Sequence, residues 1–277
     1  MMHCLRRCGP KGIQDLKGEQ SVVWHLAFLD GKLHNRKDAL KWWERLIVLS
    51  EELNDMTGLK NAHENAAKLK KDHLSMPKDA ISHYEWAYSW AANRGDVEYA
   101  ANALENIFDC FHSLHQFAEA IGTAERVIKL MKDTMGAVEK PGDMFPVPET
   151  HPHREDAIEF NKEKFTTTKW KERYWDCFHF WIENRCKMAE CIQLQGRRLE
   201  LSKEILEKCC ADAQEVIEKR GKYGQHGHPA RGPYRTAQVA WRWRANFHCR
   251  KEEWVEACAA LEEMVLHRKR GRFCQSA

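Results

Sequence analysis

Long apolar runs are missing from this sequence. No uncharged apolar stretch in its 277 residues approaches the roughly 18 that a membrane-spanning helix needs, and no hydrophobic signal-peptide core follows Met1. The opening MMHCLRRCGPKG is basic and contains no acid, and we interpret it as a disordered start, with the remnant of an organellar targeting segment as the alternative. We therefore expect no membrane insertion and an intracellular location, cytoplasmic in the first instance, with a mitochondrial or other organellar location as the alternative.

The short motifs that carry catalysis or nucleotide binding are also missing. The sequence has no GxxxxGK[ST], no GxGxxG after a strand, no GxSxG and no HExxH. The pairs His151/His153 and His226/His228 lie in loops rich in Pro and Gly, and neither brings the further ligands of a closed metal site. We therefore predict a protein that is not an enzyme, without catalytic residues, metal or cofactor.

The eleven cysteines form no CxxC pair, so neither zinc-site spacing nor a redox motif is present. In a chain of this size, free cysteine behaves as a small buried hydrophobe in a reducing compartment. We interpret as core residues those that fall within amphipathic helical patterns: Cys110, Cys177, Cys191, Cys209, Cys249 and Cys258.

Helical periodicity fills almost the whole sequence, and strand-like alternation is scarce. Turn-forming residues concentrate in GAVEKPGDMFPVPETHP, from residue 136, and GKYGQHGHPARGP, from residue 221. Between these breaks the pattern predicts helices of about 15–20 residues joined by short turns. The fold class expected is therefore all-α.

One phrase recurs along the chain: an acid, a small residue and an apolar residue, followed by bulky ones. It reads RKDALKWWERL, PKDAISHYEWA, FAEAIGTAERV, REDAIEFNKEK and WVEACAALEEM around Ala39, Ala80, Ala120, Ala157 and Ala257. The first three alanines are 41 and 40 residues apart, a period typical of helical solenoids. We predict that each alanine lies where two helices cross and that the bulky residues four and seven positions on fill the space between layers.

These phrases resemble the second helix of a tetratricopeptide repeat. The residues that carry the resemblance in 101–132 are Leu104, Ile107, Phe111, Phe117, Ala120, Ala124 and Val127, and those in 239–267 are Trp241, Ala245, Trp254, Ala257, Leu261 and Met264. The period near 40 is similar to the long repeats of kinesin light chains and G-protein-signalling modulators. The phrases ELNDMTGLKNA and ANRGDVEYAANA look like that subclass's turn, with an Asp capping the next helix.

The resemblance implies an α-solenoid, a right-handed superhelix of antiparallel helix pairs, which is irregular in the middle. The expected division is an N-terminal extension 1–18, repeats 19–135, a Pro-rich loop 136–153, degenerate helical repeats 154–220, a Gly/Pro loop 221–233, a C-terminal repeat 234–270 and a tail 271–277. Within the degenerate part we predict helices over 155–164, 175–195 and 199–220, with Ser202 at a small position.

Tetratricopeptide grooves are lined by first-helix residues, which implies a set of partner-binding positions here. By register these are Asn65, Asp72, His73, Asn102, Glu105, Asp109, His112, Arg242, Asn246 and Arg250.

Eleven tryptophans offer further contact residues. Trp43 and Trp254 fall at repeat positions, and we predict that they pack between helices. Adjacent or alternate tryptophans cannot both face one core, so we predict that Trp42 and Trp243 are exposed interface anchors, a role in which Trp is enriched.

A solenoid exposes a large surface and encloses no pocket, which favours docking over chemistry. We therefore expect a non-enzymatic scaffold or adaptor, a structural subunit of a larger assembly that binds a partner protein. The alternative is a helical-repeat protein associated with RNA, because 25 basic residues against 19 acidic follow from Arg154 onward and the tail contains HRKRGR. An enzyme built on Cys177, His179 and Glu183 would rest on residue types alone.

Overall fold

A computed structural model describes residues 12–139, 167–196, 198–219 and 232–273. These residues form ten α-helices and one π-helical turn, and none of them lies in a strand. The helices are α1 (Gly12–Lys32), α2 (Arg36–Glu52), α3 (Met56–Lys68) continued by the π-turn Leu69–His73, α4 (Pro77–Asn93), α5 (Val97–Ser113), α6 (Phe117–Glu139), α7 (Thr167–Leu194), α8 (Leu199–Glu218), α9 (Pro233–Arg250) and α10 (Trp254–Phe273).

The all-α prediction is confirmed, and helices that follow one another along the chain pack together in the manner of a solenoid. The chain divides into two compact units, residues 1–90 and 91–277. In the first unit, α1 packs on α2 and α2 on α3. In the second, α5 packs on α6, α6 on α7, α7 on α8, α8 on α9 and α9 on α10, while α7 also contacts α9.

One turn geometry joins five of the helix pairs. In each, the second residue after the helix adopts a left-handed conformation, and the next helix begins two residues later: His34, Asn54, Gly95, His115 and Glu252 have φ between 51° and 67°. The residue that follows donates its backbone N–H to the carbonyl five positions back, the 6→1 bond of a Schellman motif. These bonds are Asn35 to Asp30, Asp55 to Ser50, Asp96 to Ala91, Gln116 to Phe111 and Glu253 to His248, at 2.8–3.0 Å.

The predicted aspartate caps are present in this turn. The Asp55 carboxylate accepts from the backbone N–H groups of Thr57 (3.1 Å) and Gly58 (3.0 Å), and the Asp96 carboxylate accepts from that of Tyr99 (3.2 Å). Each carboxylate thus satisfies N–H groups that the first turn of a helix leaves unpaired. The turn therefore ends one helix and starts the next within three residues.

The recurring alanines lie where the repeat pattern requires. Ala39, Ala80, Ala120 and Ala257 are all buried, and Ala157 is outside the described residues. The residues four and seven positions on are buried in the first three phrases, namely Trp43 and Leu46, Tyr84 and Ala87, and Ala124 and Val127. The small-residue interpretation is therefore confirmed at four positions.

The core of the first unit is built by α1, α2 and α3. Val23, Ala27, Ala39, Trp43, Leu46, Leu49, Ala62, Ala66 and Leu69 form one buried cluster. The Trp24 ring meets the Trp43 ring edge-on at 5.1 Å. Such an edge-to-face pair stabilises packing by about 0.5–1.5 kcal/mol beyond its buried area.

The second unit has a buried cluster among α7, α8 and α9, around Trp175, Phe178, Ile182, Leu206 and Phe247. The predicted helical pair of the irregular middle is present as α7 and α8, and Ser202 is buried at their crossing, with its hydroxyl donating to the Ala189 carbonyl at 2.7 Å. The predicted helix 155–164 lies outside the described residues, as do the histidine pairs and most of both predicted loops.

The repeated turn generates a test of stability. A residue with a Cβ in the left-handed conformation costs roughly 1–2 kcal/mol, so Gly95→Ala is expected to lower the free energy of unfolding by about 1 kcal/mol. The matched change Glu252→Gly, at the same place in another turn, is expected to raise it by up to about 1 kcal/mol. Urea titrations of the two variants measure both shifts, and equal signs would contradict the shared geometry.

Candidate partner-binding site

The first-helix positions of the first unit lie at the end of α3 and on the π-turn. Asn65 is half-buried, and its side-chain amide donates to the Asn61 carbonyl at 2.8 Å within the same helix. Asp72 and His73 are exposed on the π-turn. Two of these three predicted residues are therefore presented to solvent.

On α5 the predicted residues divide between surface and interior. Asn102 and Asp109 are exposed. The His112 ring is half-buried and lies 5.9 Å from the Phe108 ring and 5.7 Å from the Phe117 ring. His112 therefore packs within the helix pair α5–α6.

Glu105 has partners inside the unit. Its carboxylate accepts from Lys187 Nζ at 3.0 Å and from the Asn184 side-chain amide at 3.2 Å, which ties α5 to α7. Burial raises the pKa of Glu105, against the lowering effect of the Lys187 ammonium. Burial lowers the pKa of Lys187, but the nearby carboxylates of Glu105 and Glu183 raise it, and the pKa of Lys187 is raised on balance. The charge pair therefore links α5 to α7 within the second unit.

On α9, Arg242 and Asn246 are exposed one helical turn apart. Arg250 is also exposed but has partners on α7, since its guanidinium pairs with the Glu190 carboxylate and donates to Gln193 Oε1 at 3.4 Å. Of the predicted positions in the second unit, Asn102, Asp109, Arg242, Asn246 and Arg250 therefore have exposed side chains.

The tryptophan predictions need correction. Trp42 and Trp243 are half-buried, because each lies beside a core cluster: Trp42 packs on the α1–α3 core and donates Nε1 to Asp30 at 2.9 Å, and Trp243 packs on the α7–α9 core. Residues one or two positions apart can therefore share a wide apolar stripe. Trp43 is buried as predicted, whereas Trp254, expected to pack, is 62% exposed.

Trp254 is one of several exposed residues on the same face of α10. On α10 the neighbouring Val255 is 80% exposed, and Cys258 is exposed although we had interpreted it as core. Cys249 is half-buried, and the other four cysteines of that interpretation are buried. Periodicity predicts an apolar stripe on α10, but no helix among the described residues packs on the part of it that carries Trp254, Val255 and Cys258.

An apolar cleft of about 460 Å³ lies between α6, α7 and α8 in the second unit. Its walls are aliphatic, and its rim carries one acid, one cation and one amide. The lining residues are Ile121, Glu125, Met188, Ile192, Gln195, Arg198, Leu201 and Ile205. Volumes of 300–1,000 Å³ are typical of binding sites, so this cleft is the candidate site in the second unit.

The α7–α8 turn forms the mouth of the cleft. It is one residue longer than the five repeated turns, and both Gly196 (φ 67°) and Arg198 (φ 59°) adopt the left-handed conformation. A left-handed arginine stores roughly 1–2 kcal/mol of backbone strain. Gln195, Arg198 and Leu201 are all exposed, so the cleft opens to solvent.

A partly buried polar cluster in the first unit was not predicted. Nδ1 of His63 lies 3.0 Å from Nδ1 of His83, and Lys70 Nζ lies 2.9 Å from both His83 Nε2 and Glu44 Oε1. Because the Lys70 ammonium can only donate, His83 Nε2 is the acceptor of that hydrogen bond. The proton of the neutral His83 ring is therefore on Nδ1, which donates it to Nδ1 of His63. The His63 ring stacks on Trp86 at 4.2 Å.

Residue type explains why sequence reasoning missed this cluster. Lys70 follows Ala62 and Ala66 at helical spacing on the buried face of α3, but lysine is a residue type that is rarely buried. Burial is the main cause that lowers the pKa of both imidazoles to about 4, and the Lys70 charge also lowers both. The neighbouring His83 ring lowers the pKa of His63 as well. Glu44 and Asp79 raise the pKa of His83 and so oppose this lowering.

Within the described parts of the chain, no helix is long and apolar enough to cross a membrane, and no three His, Cys, Asp or Glu side chains are grouped as metal ligands. No protein-family model and no curated protein sequence matches the chain.

The Glu105–Lys187 pair can be tested by removing one charge. Glu105→Gln is expected to destabilise the protein by roughly 1–3 kcal/mol, because the partly buried Lys187 ammonium loses its closer carboxylate and keeps the more distant Glu183, at 3.6 Å. Asn102→Ala on the same helix is the control, expected to change stability by no more than about 0.5 kcal/mol. Thermal and urea unfolding measure both, and equal effects would show that Glu105 behaves as a surface residue.

The His63–His83 pair predicts a pH dependence. A folded pKa of about 4, below the ordinary 6.5, means that protonation favours the unfolded chain. Stability is therefore full above pH 6.5 and is lost as the pH falls from 6.5 towards 4. Unfolding titrations between pH 7 and pH 5 should show a smaller loss in His83→Gln than in the wild type. The loss should be unchanged in His25→Gln, which alters an exposed histidine.

Proposed function

We propose that this chain is a non-enzymatic protein-interaction scaffold of the tetratricopeptide type, which acts as a structural subunit of a larger assembly. The observation that carries the proposal is the solvent-open apolar cleft between α6, α7 and α8. Its occupant is a short segment of a partner protein that inserts aliphatic side chains between Ile121, Met188 and Leu201.

The rim of the cleft supports a peptide segment as the occupant. Glu125 and Arg198 line the cleft beside its aliphatic residues, and both are exposed and carry opposite charges. This arrangement suits an apolar anchor flanked by polar residues, since interface cores are apolar and their rims polar. The exposed Asn102, Asp109, Arg242 and Asn246 extend the polar surface of the same unit.

The charge pattern favours protein over RNA as the partner. Many cations of the second half pair with carboxylates of the same chain, which lowers the free positive charge that phosphates would meet. These pairs are Arg185 and Lys208 with Asp212, Lys187 with Glu105, Lys219 with Glu215, Arg244 with Glu207, Arg250 with Glu190 and Lys251 with Glu253.

The geometry around His179 weighs against an enzyme built on the central helices. His179 Nδ1 lies 3.1 Å from Thr236 Oγ1, and its Nε2 lies 3.4 Å from Glu183 Oε2. Thr236 is fully buried, Cys177 and His179 are almost so, and the Thr236 hydroxyl donates to the Gly232 carbonyl. A substrate would have no access to these atoms, so we assign the group to packing of α7 against α9.

A matched pair of charge additions tests the proposal. Leu201→Arg places a cation in the cleft at a position that is 37% exposed, so the fold is retained. Glu119→Arg adds the same side chain at an exposed position of α6 that faces away from Ile121. Each tagged variant and the wild type are purified from native lysate, with and without ribonuclease, and the recovered proteins are quantified by mass spectrometry.

We expect the wild type and Glu119→Arg to recover a partner protein at fixed stoichiometry whether or not ribonuclease is present. Leu201→Arg should recover at least tenfold less of that partner than the wild type does, and its melting temperature should lie within about 2 °C of the wild-type value. Unchanged recovery by Leu201→Arg would remove the cleft from the proposal. Recovery that disappears with ribonuclease would establish RNA association instead.

A further inference from the structure

The first observation is the uncovered apolar face of α10. Trp254, Val255, Leu261, Val265 and Leu266 are between 37% and 80% exposed. At 100° per residue they fall within one face, together with Cys258, and that face also includes Glu262 and Lys269. Contiguous exposed apolar residues on a helix face mark an interaction surface.

The repeat register shows what kind of element belongs on this face. Leu261 and Met264 stand four and seven positions after Ala257, where the other phrases have buried residues that a following layer covers. Trp254 is equivalent to Phe117, which is packed against the core. The face of α10 thus has the pattern of a second helix that awaits the first helix of another pair.

The second observation is a matching face on α1. Val22, Phe28, Leu29 and Leu33 are 52–60% exposed, while Val23 and Ala27 of the same helix are buried against the core. Because α2 carries the recurring alanine phrase, α1 is the first helix of its pair. Its exposed face is therefore the side that a preceding second helix would cover.

We propose that the α10 face of one copy of this chain packs on the α1 face of a second copy, continuing the helix-pair stacking from one molecule to the next. The two surfaces differ, so the contact is heterologous and leaves one free face at each end of a dimer. This inference stands on surfaces separate from the cleft and does not depend on it.

Charge along the two helices supports an antiparallel pairing, the orientation of adjacent helices in the stack. With Trp254 opposite Leu33, Val265 meets Val22, Cys258 meets Leu29, and Glu262 lies opposite His25. The exposed Lys32 then lies beside the acidic half of α10, and the exposed Lys269 lies towards Asp15. The reverse direction would bring Lys269 beside Lys32, where like charges repel.

The heterologous contact can be tested with two variants of the full chain, called face variants, each of which places a charge on one of the two apolar faces. Leu29→Glu places an acid on the α1 face opposite Cys258, and Leu261→Glu does so on the α10 face, four positions after Ala257, at a position that is 40% exposed. Lys37→Glu, at an exposed position of α2, is the control. Sedimentation velocity between about 1 and 100 µM measures the mass, and circular dichroism verifies that each variant is folded.

We expect the wild type and Lys37→Glu to associate beyond the dimer as concentration rises, and each face variant alone to remain monomeric. An equimolar mixture of the two variants should form a dimer and no larger species, because each supplies the one intact face that the other lacks.

Three results would overturn the proposal. A wild type that stays monomeric throughout would exclude a second copy as the occupant. Dimers of Leu29→Glu alone would show that α10 pairs with α10, and dimers of Leu261→Glu alone would show that α1 pairs with α1. None of these results bears on capture of a partner by the cleft, which Leu201→Arg tests.

Discussion

One backbone hydrogen bond organises the described structure. The 6→1 bond that closes each repeated turn holds a left-handed residue in place and positions the next residue to cap the following helix. With the turn fixed at three residues, an alanine in the second helix of the pair can meet its neighbour closely, and the larger residues four and seven positions on have a defined space to fill. The helix bounds, the burial of Ala39, Ala120 and Ala257 and the layer packing depend on this turn.

The sequence predicted those features that depend on local spacing. The period of 40–41 residues, the aspartate caps and the helix pair α7–α8 all follow from residues close together in the chain. Trp254 and Cys258 were misjudged for a physical reason: a periodic apolar stripe shows that a face should be covered, but not that a neighbouring helix is present to cover it. Trp42 was misjudged because one wide stripe accommodates two adjacent tryptophans.

The polar interior was the part that spacing could not predict. Glu105 and Lys187 are 82 residues apart, and only the folded second unit shows that they pair. In the first unit Lys70 lies on the buried face of α3, and only the fold shows that it meets His83 of the next helix. Spacing could not predict the candidate cleft either, because its walls come from three helices and its mouth from a turn that departs from the repeated geometry.

The neighbour-to-neighbour packing also determines how the chain acquires its structure. Most helix pairs are closed by three-residue turns, so their contacts need little loop-closure entropy and can form soon after each pair is synthesised. The α6–α7 contact differs, since residues 140–166 separate the two helices. We expect joining of α7 to α5 and α6, completed by the Glu105–Lys187 pair, to be the slow step of folding in the second unit. Until then the ribosome-bound chain would expose the aliphatic walls of the cleft.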